Sequence, residues 1–88
     1  MKRTYEVRIE KEALRALERL DGPLQRRVAR RIDGLAWDPR PPGAKALQGG
    51  HAGLHRVRLG DVRVVYAIRD GELLVLVVKV GHRGDIYR

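Results

Sequence analysis

The sequence predicts an α+β fold of element order β-α-α-β-β-β, with two N-terminal helices packed on a small, curved, mainly antiparallel sheet. Three observations carry that expectation. Apolar and polar residues alternate over residues 4–9, two consecutive stretches of period near 3.6 follow as far as about residue 37, and the last third is rich in β-branched residues punctuated by Gly-Asp and Asp-Gly turns. At 88 residues the chain has material for one core, so residues 1–88 are read as a single domain.

Each element has its own reason. From Thr4 to Ile9, Tyr5, Val7 and Ile9 share one side and Glu6 and Arg8 the other, as a half-buried strand requires. Ala13, Leu14, Leu17 and Leu20 then fall on one helical face, with Glu12, Arg15, Glu18 and Arg19 mostly opposite. That helix should stop at Asp21-Gly22, Gly22 taking the left-handed cap, and Pro23 should open a second helix in a tight hairpin. The second helix carries Leu24, Val28, Ile32 and Leu35 on its apolar stripe and should end near Trp37. Residues 38–43 read DPRPPG and cannot continue it, because each proline lacks an N–H and restricts the residue before it. A glycine-rich stretch, Gly49 to Gly53, leads into two strands, Leu54 to Leu59 and Val62 to Ile68, joined by a two-residue turn at Gly60-Asp61. Asp70-Gly71 marks a further hairpin turn. Leu73 to Val80 is a nearly unbroken aliphatic run, read as a central strand covered on both faces and broken by Gly81.

Composition narrows the function. Lys+Arg is 19 against Asp+Glu 11, a net charge of +8, which favours a polyanionic partner such as nucleic acid or an acidic protein. There is no cysteine, hence no disulfide and no thiolate metal site, and there is no serine, so neither residue can serve as a nucleophile. No apolar run reaches the roughly 18 residues of a membrane span and no signal-peptide pattern opens the chain, so a soluble, unexported, cytoplasmic protein without membrane contact is expected. No phosphate-binding glycine motif follows a strand, and no cofactor is expected.

Register arithmetic on the Gly60-Asp61 hairpin locates a candidate site. A two-residue turn pairs Leu59 with Val62, Arg58 with Arg63 and Val57 with Val64, and directly paired residues share a face. Val57, Leu59, Val62, Val64, Tyr66 and Ile68 should pack on the helices, leaving Leu54, Arg56, Arg58, Arg63, Val65, Ala67 and Arg69 on the other face. Arginines placed directly across a strand pair repel, and Arg56 adds to the penalty, so an anion is the missing partner. The helix arginines Arg26, Arg27, Arg30 and Arg31 are explained as charges on a solvated face. In the functional reading they join Lys45, His55 and Arg69 as candidate contacts to nucleic acid. His51 and His55 have the four-residue separation of a helical metal pair, but the glycines around them disfavour a helix and no carboxylate cluster completes a site, so no metal is expected. Asp61 and Asp70 sit in turns, where aspartate bonds locally.

The order of elements, the run LHRVRLGDVRVVYAI (Leu54 to Ile68) and the closing VGHRGDIY (Val80 to Tyr87) resemble the RelE/ParE toxin superfamily over nearly the whole chain. The resemblance to the RelE branch implies a type II toxin, a ribosome-dependent, metal-independent endoribonuclease that cleaves messenger RNA in the A site through attack of the 2′-hydroxyl and so inhibits translation. It also implies partners: a RelB-like cognate antitoxin with an acidic or amphipathic segment, and the ribosome with its mRNA and rRNA, the toxin alone being monomeric. By motif position the catalytic set falls on Arg56, Arg58, Arg63, Arg83 and Tyr87. Two departures stand out: the first two positions are lysines in the best-known members, and the chain stops at Arg88 where some members add a helix. Arg56 cannot accept a proton. Tyr87, whose pKa the surrounding cations should lower, is then the candidate base or an orienting donor, Arg58 and Arg63 are the candidates for holding developing phosphate charge, and Arg83 would steady the leaving side. His82 is the alternative acid or base, although adjacent residues of an extended chain point to opposite faces. A gyrase-poisoning toxin of the ParE branch and a non-toxic basic RNA-binding module are the competing readings.

Overall fold

The computed structural model describes residues 4–82, in which both helices lie on one face of a five-stranded sheet. The elements are β1 (Glu6–Ile9), α1 (Lys11–Glu18), α2 (Gly22–Gly34), β2 (Lys45–Ala46), β3 (Leu54–Leu59), β4 (Val62–Arg69) and β5 (Leu74–His82). Sheet order is β1-β5-β4-β3-β2. All neighbours run antiparallel except β1 and β5, which are parallel, Val7 beside Val75 and Ile9 beside Val77. The expected α+β arrangement is therefore present, with one strand more than expected: β2 has two residues, and its register, Lys45 opposite Arg56, comes from its partner rather than from any alternation of its own.

The core lies between the helices and the sheet. Ala13 and Leu17 of α1 and Val28 and Ile32 of α2, with Leu35, meet Val57, Val62, Val64, Tyr66, Val75, Val77 and Val80. Leu24 is only partly buried and Leu14, expected on the apolar face of α1, is 41 % exposed, because α1 spends its narrow buried stripe on Ala13 and Leu17. Gly22 does not take the left-handed cap. α1 ends at Arg19 in right-handed conformation, and Asp21 caps α2 by accepting the Leu24 N–H at 3.0 Å, which makes Gly22 and Pro23 the first helical residues. α2 ends at Gly34, short of Trp37, in a turn whose Ala36 carbonyl accepts the N–H groups of Thr4 and Tyr5 and so fixes the entry to β1.

The hairpin at Gly60-Asp61 has the expected register, with Gly60 at φ +60° in the first central position. The connection from β4 to β5 is not a tight hairpin. Residues Asp70–Glu72 form a 3₁₀ turn and Leu73 sits at φ +49°, a left-handed conformation that costs a branched residue energy. β5 runs through Gly81 to His82 instead of stopping before them. Only one of its faces is covered: Val75, Val77 and Val80 are buried, while Leu74, Leu76 and Val78 are half-buried.

A bulge explains the spacing of those three valines. Tyr66 pairs with Val77 but Val65 pairs with Lys79, so Val78 is the extra residue. Beyond it every side chain changes face. Val80 returns to the core opposite Val64, Gly81 stands opposite Arg63 on the open face, and His82 pairs with Val62 on the helix side.

Candidate active site on the open sheet face

Three residues from β3 and β4 build the centre of the open face. Arg58 and Arg63 are direct partners, so their Cα atoms stand about 4.5–5.5 Å apart with both side chains on one side. Arg56 follows two residues along β3 on the same face and is buried to 8 % exposure, whereas Arg58 is exposed and Arg63 half-buried. In the next row the registers align Lys45, Arg56, Val65 and Lys79 across four strands. Among the described residues that these registers place on the open face of β2 to β5, there is no carboxylate. Acidic groups sit at the margins, where Glu6 pairs with Arg8 on β1 and Glu72 lies 3.6 Å from Arg69. The remainder of the face, Leu54, Ala67, Leu74 and Leu76, is apolar and half-buried.

Clustered cations of this kind repel one another, and a guanidinium group has the fork geometry that holds two phosphate oxygens at once. The sheet thus offers a rigid, cationic, partly apolar platform.

Other sequence candidates lie elsewhere. His55 is opposite Tyr66 on the helix-covered face, stacked on its ring at 5.9 Å, away from the arginines. Burial, reinforced by the positive charge of Arg40, holds the His55 imidazole below the usual histidine range, and among the described residues its buried Nδ1 makes no hydrogen bond. His82 is exposed at the end of β5, where it lines a cleft of about 440 Å³ with Ala16, Arg19, Leu20, Val80 and Gly81, on the helix side of the sheet. Arg26, Arg27 and Arg30 are exposed on the helical layer, and Arg31 donates to the Pro42 carbonyl at 3.3 Å, tethering the proline-rich loop. Arg69 lies at the far end of β4 from Arg63. Arg83 and Tyr87 lie outside the described residues.

Two features escape the periodicity. Lys79 reaches the open face only because of the bulge at Val78. Arg40, in the proline-rich loop, grips Asp70 with two nitrogens at 2.9 and 3.3 Å while Tyr5 donates its hydroxyl to the same carboxylate. Those two partners hold the Asp70 carboxyl below its ordinary range.

The model of a family described as the ParE toxin of the type II toxin–antitoxin system parDE matches residues 7–87. This chain belongs to the RelE/ParE superfamily of type II toxins. Toxin RelE of Mycobacterium tuberculosis is 38 % identical over 85 residues, covering 96 % of this chain and 87 % of the relative. Toxin RelG of the same organism is 35 % identical, over 96 % of this chain and 97 % of its own. Among solved structures, the toxin–antitoxin complex RelBE2 of M. tuberculosis superposes with a TM-score of 0.81 at 31 % identity, covering 91 % of this chain and 99 % of the other. The archaeal RelE–RelB complex of Pyrococcus horikoshii gives 0.80 at 33 % identity, covering 93 % and 98 %. The superfamily fold has two helices on one face of a five-stranded mixed sheet, and this chain shares it.

Proposed function

We propose that this toxin is a ribosome-dependent endoribonuclease that cleaves messenger RNA in the A site. The observation that carries the reading is the direct pairing of Arg58 with Arg63, with Arg56 beside them, on a stretch of the open face, β2 to β5, where the described residues include no carboxylate. RNA supplies its own nucleophile, which suits a chain with no serine or cysteine. The 2′-hydroxyl oxygen bonds to the adjacent phosphorus while the bond to the 5′-oxygen breaks, leaving a 2′,3′-cyclic phosphate and a 5′-hydroxyl. The protein has to remove the 2′ proton, deliver one to the departing oxygen and stabilise charge on the phosphoryl oxygens between.

Arg58 and Arg63 take the last role, since donors fixed at the point where charge develops gain most in the transition state. Arg56 positions the chain beside them. Proton removal falls to Tyr87, because arginine cannot accept a proton and His82 stands on the helix side of the sheet. Arg83 steadies the leaving side. A RelB-like antitoxin bearing an acidic or amphipathic segment is the partner that restrains the toxin, a reading supported by the RelE–RelB complexes among the structural relatives. The arginines of α2, with Lys45 and Arg69, provide further contacts to ribosomal RNA.

The name of the matching family model supports a second reading, a gyrase-directed toxin. Purified toxin added to ribosomes programmed with a defined mRNA separates the two. Primer extension should map a single cut within the A-site codon. Arg63→Ala should slow single-turnover cleavage by about 10²-fold or more while ribosome affinity changes only a few-fold, and Tyr87→Phe should slow it by a similar factor. An uncut message together with inhibited gyrase supercoiling would assign the protein to the second reading.

A further inference from the structure

The bulge in β5 adds a cation to the open face that the arginine pair alone does not explain. Had β5 kept the register of its first half, Val65 would face Val78, and Lys79 would fall opposite Val64 in the hydrophobic core. The extra residue instead sets Lys79 opposite Val65, exposed, in line with Arg56 and Lys45. Val65 lies between Arg56 and Lys79 and is 2 % exposed, so the two long side chains flank a short apolar floor.

Two cationic rows result. The first holds Arg58 and Arg63, with Gly81 beside them presenting no side chain. The second holds Lys45, Arg56 and Lys79, two residues further along the strands, or about 6.7 Å at the rise of a β-strand. That separation is comparable with the spacing of successive phosphates along one RNA strand. Arg56 and Lys79 are two strands apart, about 9.6 Å between backbones, within reach of one phosphate held over Val65 from either side.

We propose that Lys79, with Arg56, binds the phosphate next to the scissile one and so positions the RNA strand over the Arg58–Arg63 pair. The assignment rests on the reading of this face as the cleavage site. Lysine suits this role because its ammonium is a compact charge on a flexible stem that holds a phosphate without dictating its rotation, whereas the row that meets developing charge carries planar guanidinium forks. Lys79 is a positioning residue in this scheme and takes no part in bond making.

The test is a double-mutant cycle between protein and substrate. Programmed ribosomes are supplied with messages in which either phosphate flanking the cleavage site is a neutral methylphosphonate, the preceding ribose carrying a 2′-O-methyl group to keep it intact. A message with the 2′-O-methyl group and an ordinary phosphate is the reference. With wild-type toxin, neutralising one of the two flanking phosphates should slow cleavage at subsaturating toxin about tenfold, the scale of one charge-assisted hydrogen bond. Lys79→Ala should lose about tenfold on the reference message and nothing further on that neutral one, while Lys79→Arg should restore most of the rate. Losses by Lys79→Ala that are the same on reference and neutral messages would overturn the proposal, since a merely structural defect is indifferent to the substrate's charge. Full activity of Lys79→Ala on the reference message would overturn it alone, leaving the cleavage reading intact. Absence of cleavage by the wild type would overturn both.

Discussion

Tyr66 is wholly buried and donates its hydroxyl to the Pro39 carbonyl at 2.7 Å, which pins the proline-rich loop to the sheet from the helix side. The same burial pushes its phenol from 10.0 up to about 12, the nearby Arg31 and Arg40 opposing it only weakly. A raised folded-state pKa means that the unfolded chain loses this proton first as pH rises. Its contribution is complete below about pH 10, falls between about 10 and 12, and is gone above, a change of about 3 kcal/mol across the window. Tyr66→Phe should therefore cost about 1–2 kcal/mol at pH 7 through the lost hydrogen bond, yet narrow its deficit as the pH climbs past 10. Urea unfolding of both proteins between pH 7 and 11.5 reads this directly, and parallel stability curves would show that the phenol ionises equally in both states. Tyr66 was legible as a core residue from its place in the alternation of β4. Its partner was not, since Pro39 meets it through a backbone carbonyl and no pattern of side chains announces that.

At the scale of elements, β3 and β4 could be read in full because a two-residue turn leaves one register and the arginines mark one face. β5 could not. Its open-face positions Leu74, Leu76 and Val78 are as aliphatic as its buried Val75, Val77 and Val80, so apolarity alone does not reveal which face is which. The remaining signal was Lys79: strict alternation from Val75 and Val77 puts a lysine in the core, which is costly enough to require a slip of one residue. The pairing of β1 beside β5 was equally hidden, because a parallel contact between chain ends leaves no local mark. Deleting Val78 tests what the bulge is for. Without it Val77 opposite Tyr66 is followed directly by Lys79 opposite Val65 and Val80 opposite Val64, so the strand pairs with β4 in unbroken register and Lys79 stays on the open face. The deletion should therefore cost only about 1 kcal/mol, the share of burial lost with the half-buried Val78 side chain. Thermal or denaturant unfolding should show a cooperative transition near wild-type stability for the deletion, and a loss of about 3 kcal/mol or more would mean that the bulge itself, through the local twist it gives β5, holds the sheet together.

For the whole molecule the informative feature is that its positive charge lies on two opposite surfaces. The open sheet face carries Arg56, Arg58, Arg63, Lys45 and Lys79, while Arg26, Arg27 and Arg30 are exposed on the helical layer that covers the other face. The described residues measure 32 × 32 × 25 Å, so a flat polyanion can neutralise one surface but not both. A cleft walled by phosphates can engage both, and under the proposed function the ribosome provides one. The two surfaces should then separate by experiment. Replacing Arg26, Arg27 and Arg30 together by alanine should weaken ribosome binding and lower the slope of log affinity against log salt by about two, each phosphate contact contributing about 0.7–0.9. At saturating toxin the single-turnover rate should stay within about twofold of wild type, because these side chains lie across the core from Arg58 and Arg63. Arg63→Ala should behave in the opposite way, losing rate with little change in salt dependence beyond its single contact. If the triple variant binds with the wild-type slope, the helix arginines are a solvated face and the sheet alone carries recognition.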